Sequence, residues 1–211
     1  MSHLVNFKEH VVVSCAVMRP ELERLRKEGF LNPIRILYTA PGLHENPREL
    51  EKQLKRQLKK GKRHSENVIV IYGKRCYIDT GDLFRDIDRL LQEEGGNIKR
   101  INAANCIDML ASAAEREKIS AGKRIYWLSP GWLEYWRQIF KDWDIGKANE
   151  TFPQNDKALI LDSLGLYEKY LADSPEKILE FADWMKLGVE SYKVSLDRLK
   201  ALLTEAVNPR L

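Results

Sequence analysis

NVIVIYGKRCYIDTG, residues 67–81, is an apolar β-run that stops at Tyr72 and Gly73 and delivers Cys76 beside Lys74 and Arg75. A run of β-branched residues with no polar alternation has the pattern of a strand covered on both faces, as in a parallel sheet between helices. Open α/β sheets bind ligands beyond the carboxyl ends of their strands. The glycine turn and the thiol after it therefore mark one edge of an expected crevice.

The grammar repeats on both sides of this stretch. Toward the N-terminus, VVVSCAVM (11–18) predicts a strand with Cys15 near its end, and the following helix starts at Pro20 and closes at Gly29. The residues before His10, His3 among them, read as a terminal arm. IRILYTA (34–40) predicts the second strand. The turn-rich PGLHENP follows it and places His44 in a loop, with Asn46 and Pro47 positioned to start a helix. In that helix Leu50, Leu54 and Leu58 recur every four residues, so its lysines and arginines belong to a solvated face. No stacking aromatics interleave them, which argues against nucleic acid.

Toward the C-terminus, DLFRDIDRLLQEEG (82–95) predicts a helix with Leu83, Ile87, Leu90 and Leu91 on its apolar face. NIKRINA (97–103) predicts a weaker strand, with a helix from about Asn105 and Cys106 at the junction. A fifth strand ends at Leu128, where Ser129 can cap a helix whose first residue is Pro130. Residues 144–157 are polar and carry Gly146 and Pro153, as a linker or long crossing loop would. KALILDS (157–163), a helix after Pro175, VESYKV and a last helix capped by Ser195 complete the chain. Repeating βα units predict an α/β, Rossmann-like fold with a mainly parallel sheet and helices on both faces. The composition change predicts two lobes, a main one at 10–145 and a smaller α/β or helical one at 156–207.

A chain of 211 residues can bury a core without disulfide or metal staples. The excess of 35 Lys and Arg over 31 Asp and Glu is too mild to imply a polyanionic partner. No apolar run reaches the length of a membrane span. An odd set of 3 cysteines without a leader-like stretch reads as reduced thiols in a cytoplasmic protein. Walker A, GxGxxG, GxSxG and HExxH patterns are absent from the sequence.

Position supplies the site hypothesis. Cys15, His44, Cys76 and Cys106 each fall at or just beyond the carboxyl end of one of the first four predicted strands. Three thiolates and an imidazole form a recognised ligand set for zinc or an iron–sulfur centre. Their dispersal, without a CxxC pair, leaves the plain reading open that Cys15 and Cys106 are core packing and His44 a loop histidine. Lys74 and Arg75 would favour a Cys76 thiolate, so a nucleophilic or redox-sensing Cys76 assisted by His44 is a further reading. Gly73 would let a ligand approach the backbone. Ser129 and Gly131 at a helix start could cradle an anion, and Trp132, with Trp127, Tyr135 and Trp136, could wall a planar ligand; an ordinary cap and core aromatics fit equally well. Asp162 ends the sixth strand and could face the same crevice.

At these residues the chain resembles a bacterial and archaeal family known as domain of unknown function 1638. The matching pieces are SCAVMRPEL, GLHENP, VIVIYGKRC, NAANCIDMLAS and IYWLSPGW, in order from Val11 to Trp143. In the family pattern a small residue often follows the third-strand cysteine and Asp often precedes the fourth-strand one. Here they are Tyr77 and Asn105. The resemblance implies an α/β fold with a Cys and His site. Its members are often encoded near corrinoid-dependent methyltransferases, which implies one-carbon or tetrapyrrole metabolism. The leading expectation is a metal-binding protein, accessory or enzymatic, that works with corrinoid methyl-transfer proteins or a small-molecule ligand. The alternative is a metal-independent module for an anionic ligand, a corrinoid or another tetrapyrrole.

Overall fold

The computed structural model describes residues 6–152 and 154–208, so His3 and Pro153 lie outside the described residues. Four parallel strands form the first sheet: β1 (His10–Cys15), β2 (Arg35–Thr39), β3 (Asn67–Ile71) and β4 (Asn97–Arg100), in the order β2-β1-β3-β4. Three more, β5 (Ile125–Leu128), β6 (Lys157–Asp162) and β7 (Val189–Lys193), form a second parallel sheet in sequential order. Every named pairing is parallel, as the Rossmann-like α/β reading requires.

Alternation along β1 and β3 sorts the first sheet's two faces. Val11, Val13, Val68 and Val70 pack under α2 (Pro47–Lys62) and α3 (Ile87–Glu94), with Leu50, Leu54 and Leu58 as the α2 contribution. Val12, Ile69 and Ile71 face the other way, onto α1 (Arg19–Lys27) and the C-terminal α9 (Asp197–Val207). Leu199, Leu202 and Leu203 of α9 are buried in that core, so the last helix returns to the first sheet. The second sheet packs on α5 (Pro130–Ile139), α6 (Ile145–Thr151) and α8 (Glu176–Met185) through an aromatic-rich core. Between β6 and α8 runs α7 (Leu166–Asp173), and α4 (Ala113–Ser120) precedes β5.

The structure departs from several sequence expectations for definable reasons. The lobes expected at 10–145 and 156–207 are not how the sheets divide, because β5 pairs with β6. Residues 145–151, expected in a linker, form α6, with the Asp144 side chain accepting from Lys147 N. Phe7, placed in a loose arm by its position, is fully buried against Phe30. The helix expected from residue 82 starts only at Ile87, and Leu83 is 76% exposed. Residues 77–86 form a closed loop instead, because Arg85 pairs with Glu51, Asp79 and Glu93 and pulls the segment back. The helix expected near Asn105 starts after Ser112, where a capping box with Glu115 decides the boundary. Asn46, by contrast, caps α2 as its sequence predicts, accepting from Glu49 N.

Glu21 on α1 is fully buried, and neither carboxyl oxygen has a hydrogen-bond partner. Burial pushes its pKa up to about 8, with Glu134 and Asp162 adding repulsion. The fold therefore holds the neutral acid, while the unfolded chain ionises near the ordinary carboxylate value. Across that window the folded state binds more protons, so stability falls as pH rises toward about 8. Glu21→Gln should flatten this dependence and should be the more stable form above about pH 8, as read from urea midpoints across pH. Identical pH slopes for the two proteins would show that Glu21 is charged in the fold.

Candidate functional site

In the strand order β2-β1-β3-β4 the chain runs from β1 to β2 on one side and from β3 to β4 on the other, so the switch point lies at the carboxyl ends of β1 and β3. A cavity opens there. Its wall includes Cys15, His44, Cys76, Cys106, Gly73 and Trp132. About 30 Å³ of the cavity is open to the centre of a water molecule. The rest of the wall is apolar: Val17, Met18, Leu43, Leu50, Ile71, Tyr72 and Met109.

Three loops bring the thiols in, each held by backbone contacts. Cys15 is the last residue of β1, and its Sγ reaches Ala40 O at 3.8 Å. Cys76 closes a 3-10 turn (Lys74–Cys76) that docks on the loop after β4 through Lys74 N to Ala103 O (2.8 Å) and Arg75 N to Ala104 O (2.9 Å). A Cβ on Gly73 would sit 2.3 Å from Asn105 Cα, so these two loops touch backbone to backbone. The Arg100 guanidinium adds a pin, donating to the carbonyls of Tyr72, Ile101 and Ala103 while Asp88 holds it from behind. The Cys106 loop is folded by Asn105 Oδ1, which accepts from Asp108 N, and is tied to α9 by Arg198 on Asp108. Asn105 thus supplies the turn-forming acceptor that an acid would supply at this position.

His44 and Trp132 complete the wall. The His44 side chain is 38% exposed, placing it at the mouth, with its ring 5.7 Å from that of Trp132 and Nε2 3.5 Å from Glu45. Burial lowers its pKa despite the Glu45 carboxylate, which favours the neutral imidazole. Trp132 is buried, and its Nε1–H has no hydrogen-bond partner. Trp136 packs on Phe181 and Trp184, and Trp127 on the first core, so of the four aromatics proposed as a wall only Trp132 lines this cavity.

The other sequence candidates have different surroundings. Ser129 is buried with its Oγ unpartnered and makes no side-chain cap bond. Gly131 lies against Val17, where a Cβ would fall 1.8 Å from the carbonyl oxygen, so that helix start faces a carbonyl rather than room for an anion. Neither Ser129 nor Gly131 is on the cavity wall. Asp162 spends its carboxylate on the N–H groups of Leu164, Leu166 and Tyr167 in its own loop. Tyr72, singled out by the sequence with Gly73 for close backbone approach to a ligand, lines the wall with its side chain, and its hydroxyl bonds Thr39 Oγ1.

Electrostatics of the trio run against free thiolates. Burial, then repulsion from Cys106 and Cys15, pushes Cys76 up to about 12. Burial pushes Cys15 up to about 11 and also raises Cys106. The expected activation of Cys76 by its flanking cations is absent, since Lys74 is turned toward Asp86 at 3.6 Å and Arg75 is exposed. Cys106 is not at a helix start, so no helix dipole lowers its pKa either. The N–H groups of Val17 and Gly42 beside Cys15, Gly73 beside Cys76 and Ile107 beside Cys106 oppose these rises without reversing them. Among the described residues, no three His, Cys, Asp or Glu side chains are grouped to hold one metal ion.

Fold and cavity together define a two-sheet parallel α/β protein with a thiol-lined cavity at a sheet switch point. The chain belongs to the protein family of unknown function DUF1638, whose model matches residues 38–203. The match begins after β1 and includes the second sheet, beyond the motifs that carry the sequence resemblance. Neither the curated proteins nor the solved structures gave a match. No helix among the described residues is long and apolar enough to cross a membrane.

Two measurements check this geometry. Gly131→Ala and Gly73→Ala should each lose about 3 kcal/mol in urea unfolding, because the new methyl meets backbone. Gly188→Ala, with nothing within 4 Å of its added Cβ, should stay within about 0.5 kcal/mol of the parent. In metal-free protein all three thiols should react with iodoacetamide far more slowly at neutral pH than an exposed cysteine peptide, and faster as pH rises.

Proposed function

We propose that this protein binds a soft metal through Cys15, Cys76 and Cys106, with His44 at the mouth as the available fourth ligand. The observation that carries the reading is that every cysteine in the chain reaches one apolar cavity from the end of a different strand or the loop after it. Thiols are good packing residues singly, but every thiol of the chain meeting at one strand-end cavity is more than packing asks for. A bound cation would supply the positive charge the wall lacks and draw the thiols into the thiolate state. Soft sulfur ligands select zinc, copper(I) or iron–sulfur chemistry, and Met18 and Met109 on the same wall extend the soft character. The reading also requires reduced thiols, as in a cytoplasmic setting.

The habit of the resembled family of lying beside corrinoid-dependent methyltransferases supports methyl-transfer metabolism as the setting, with those proteins or a small molecule as partners. Whether the role is enzymatic depends on whether an open metal position meets a substrate. Cavity size bears on the alternative ligands. Small-molecule pockets run from about 300 to 1,000 Å³, whereas only about 30 Å³ is open to the centre of a water molecule here, so a corrinoid or other tetrapyrrole plane would have to open this cavity and a single ion would not.

Protein purified without oxygen should carry metal through gel filtration, and Cys15→Ser, Cys76→Ser and Cys106→Ser should each lose most of it while keeping their far-ultraviolet circular dichroism. A folded, metal-free protein that takes up no zinc, copper(I) or iron, with three independently titrating thiols, would sink the proposal. A thermal shift with cobalamin but with no metal would favour the tetrapyrrole module instead.

A further inference from the structure

We propose that the outer face of the α2–α3 layer docks on an anionic phospholipid bilayer, with the cations of α2 on the headgroups and Leu83 and Phe84 entering the acyl boundary. The first observation is the apolar tip. Phe84 is 95% and Leu83 76% exposed, side by side in the loop that precedes α3. A lone exposed hydrophobic needs no explanation, but an adjacent pair on an ordered loop does. The loop is held on both arms: Asp79 N donates to Arg85 O, Ile78 bridges Asp86, and Asp79 Oδ1 accepts from Gly81 N at 2.7 Å. At its base the Arg85 guanidinium engages Glu51, Asp79, Glu93 and the Tyr77 hydroxyl. The pair is therefore kept out in a fixed place instead of folding back.

The second observation is charge on the same side of the molecule. Leu50, Leu54 and Leu58 turn the inner face of α2 to the sheet, which leaves Arg48, Lys52, Arg56, Lys59, Lys60 and Arg63 exposed along the outer one. Lys52 lies 3.8 Å from Glu49; among the described residues the other five form no ion pair. These six against Glu49 outweigh the whole chain's net charge of +4, so the mild overall excess is concentrated here. Arg85 reaches Glu51 on α2 and Glu93 on α3, whose inner faces are filled by the sheet. The loop thus crosses the two helices on their outer side, and its tip shares that side with the cations. Nearby acids are already engaged, Asp79 and Glu93 by Arg85 and Asp86 by Lys74, while Asp82 accepts from Phe84 N.

Chemistry selects the occupant. Four to eight clustered Lys and Arg on a helix suit anionic lipid headgroups, and long basic side chains reach them while an apolar wedge enters the interface. A bilayer needs no matching recess to take such a wedge. Protein interfaces are depleted in Lys, which supplies half of this set, and a nucleic-acid strand would want successive aromatics among the cations, where α2 has none. None of the exposed residues named lines the cavity, so the docking is independent of metal binding.

The test is co-sedimentation of the full chain with phosphatidylcholine vesicles, with and without phosphatidylserine. Binding is expected on the phosphatidylserine vesicles, weakened as salt rises, and not on phosphatidylcholine alone. No binding to either, or equal binding to both, would overturn the proposal. Lys59→Gln with Lys60→Gln should weaken binding about fivefold per charge removed. Lys118→Gln with Lys193→Gln, the same charge loss on exposed positions outside α2, should stay within about twofold of the parent; an equal loss in both pairs would overturn the assignment to this face. Phe84→Ser should keep the thermal midpoint and weaken binding about tenfold; unchanged binding would overturn the insertion of the tip. Binding to polyglutamate or single-stranded DNA that the α2 substitutions abolish, without vesicle binding, would overturn the lipid in favour of that partner.

Discussion

Parallel pairing of β1 with β3 is the constraint on which the site depends. The register sets Ser14 beside Ile71, so the chain leaves the sheet at Cys15 and Tyr72 side by side. With β2 on the far side of β1, the connections diverge and a gap is left above their ends. Everything that lines the cavity is delivered into that gap: Cys15 directly, Cys76 one tight turn after Tyr72, Cys106 by the loop after β4, and His44 by the loop after β2. One slipped register would send alternate residues to the opposite face and separate the thiols.

Charge explains why the gap matters. Three neutral thiols sit stably in an apolar wall, because burial and mutual repulsion hold Cys15 and Cys76 above the ordinary thiol range. Arg100 acts on Cys76 in the opposite direction, and Asp88 already engages it. On the reading proposed above, a positively charged guest would supply the balance that thiolates at these positions need.

Much of this was readable from residue order, and what was not has a common cause. Strand-end placement of Cys15, His44, Cys76 and Cys106 follows from where apolar runs stop, which is local information. Strand order, sheet membership and helix starts are settled by contacts distant in sequence. A buried parallel strand such as IYWL reads the same in either sheet, so nothing local could show that β5 pairs with β6. The segment 82–86 carries helix-compatible apolar spacing, but Arg85 finds Glu51 on another helix, and three ion pairs outweigh one more turn of α3. Gly131 reads locally as a helix-start glycine, whereas its reason for being glycine is the Val17 carbonyl more than a hundred residues earlier.

That contact also gives the second sheet its part in the site. Because Gly131 lies on Val17, α5 is seated directly on the turn that follows Cys15, and Trp132, the next residue, swings over the cavity. The same lobe is tied on elsewhere, by Lys147 to Glu45 beside His44 and by α9, which crosses back to hold the Cys106 loop through Arg198. The first sheet supplies the sulfurs; the second supplies the lid and the clamps. Contacts such as Gly131 on Val17 are costly to lose because they bury well-packed surface, so the second sheet holds Trp132 fixed on the cavity wall.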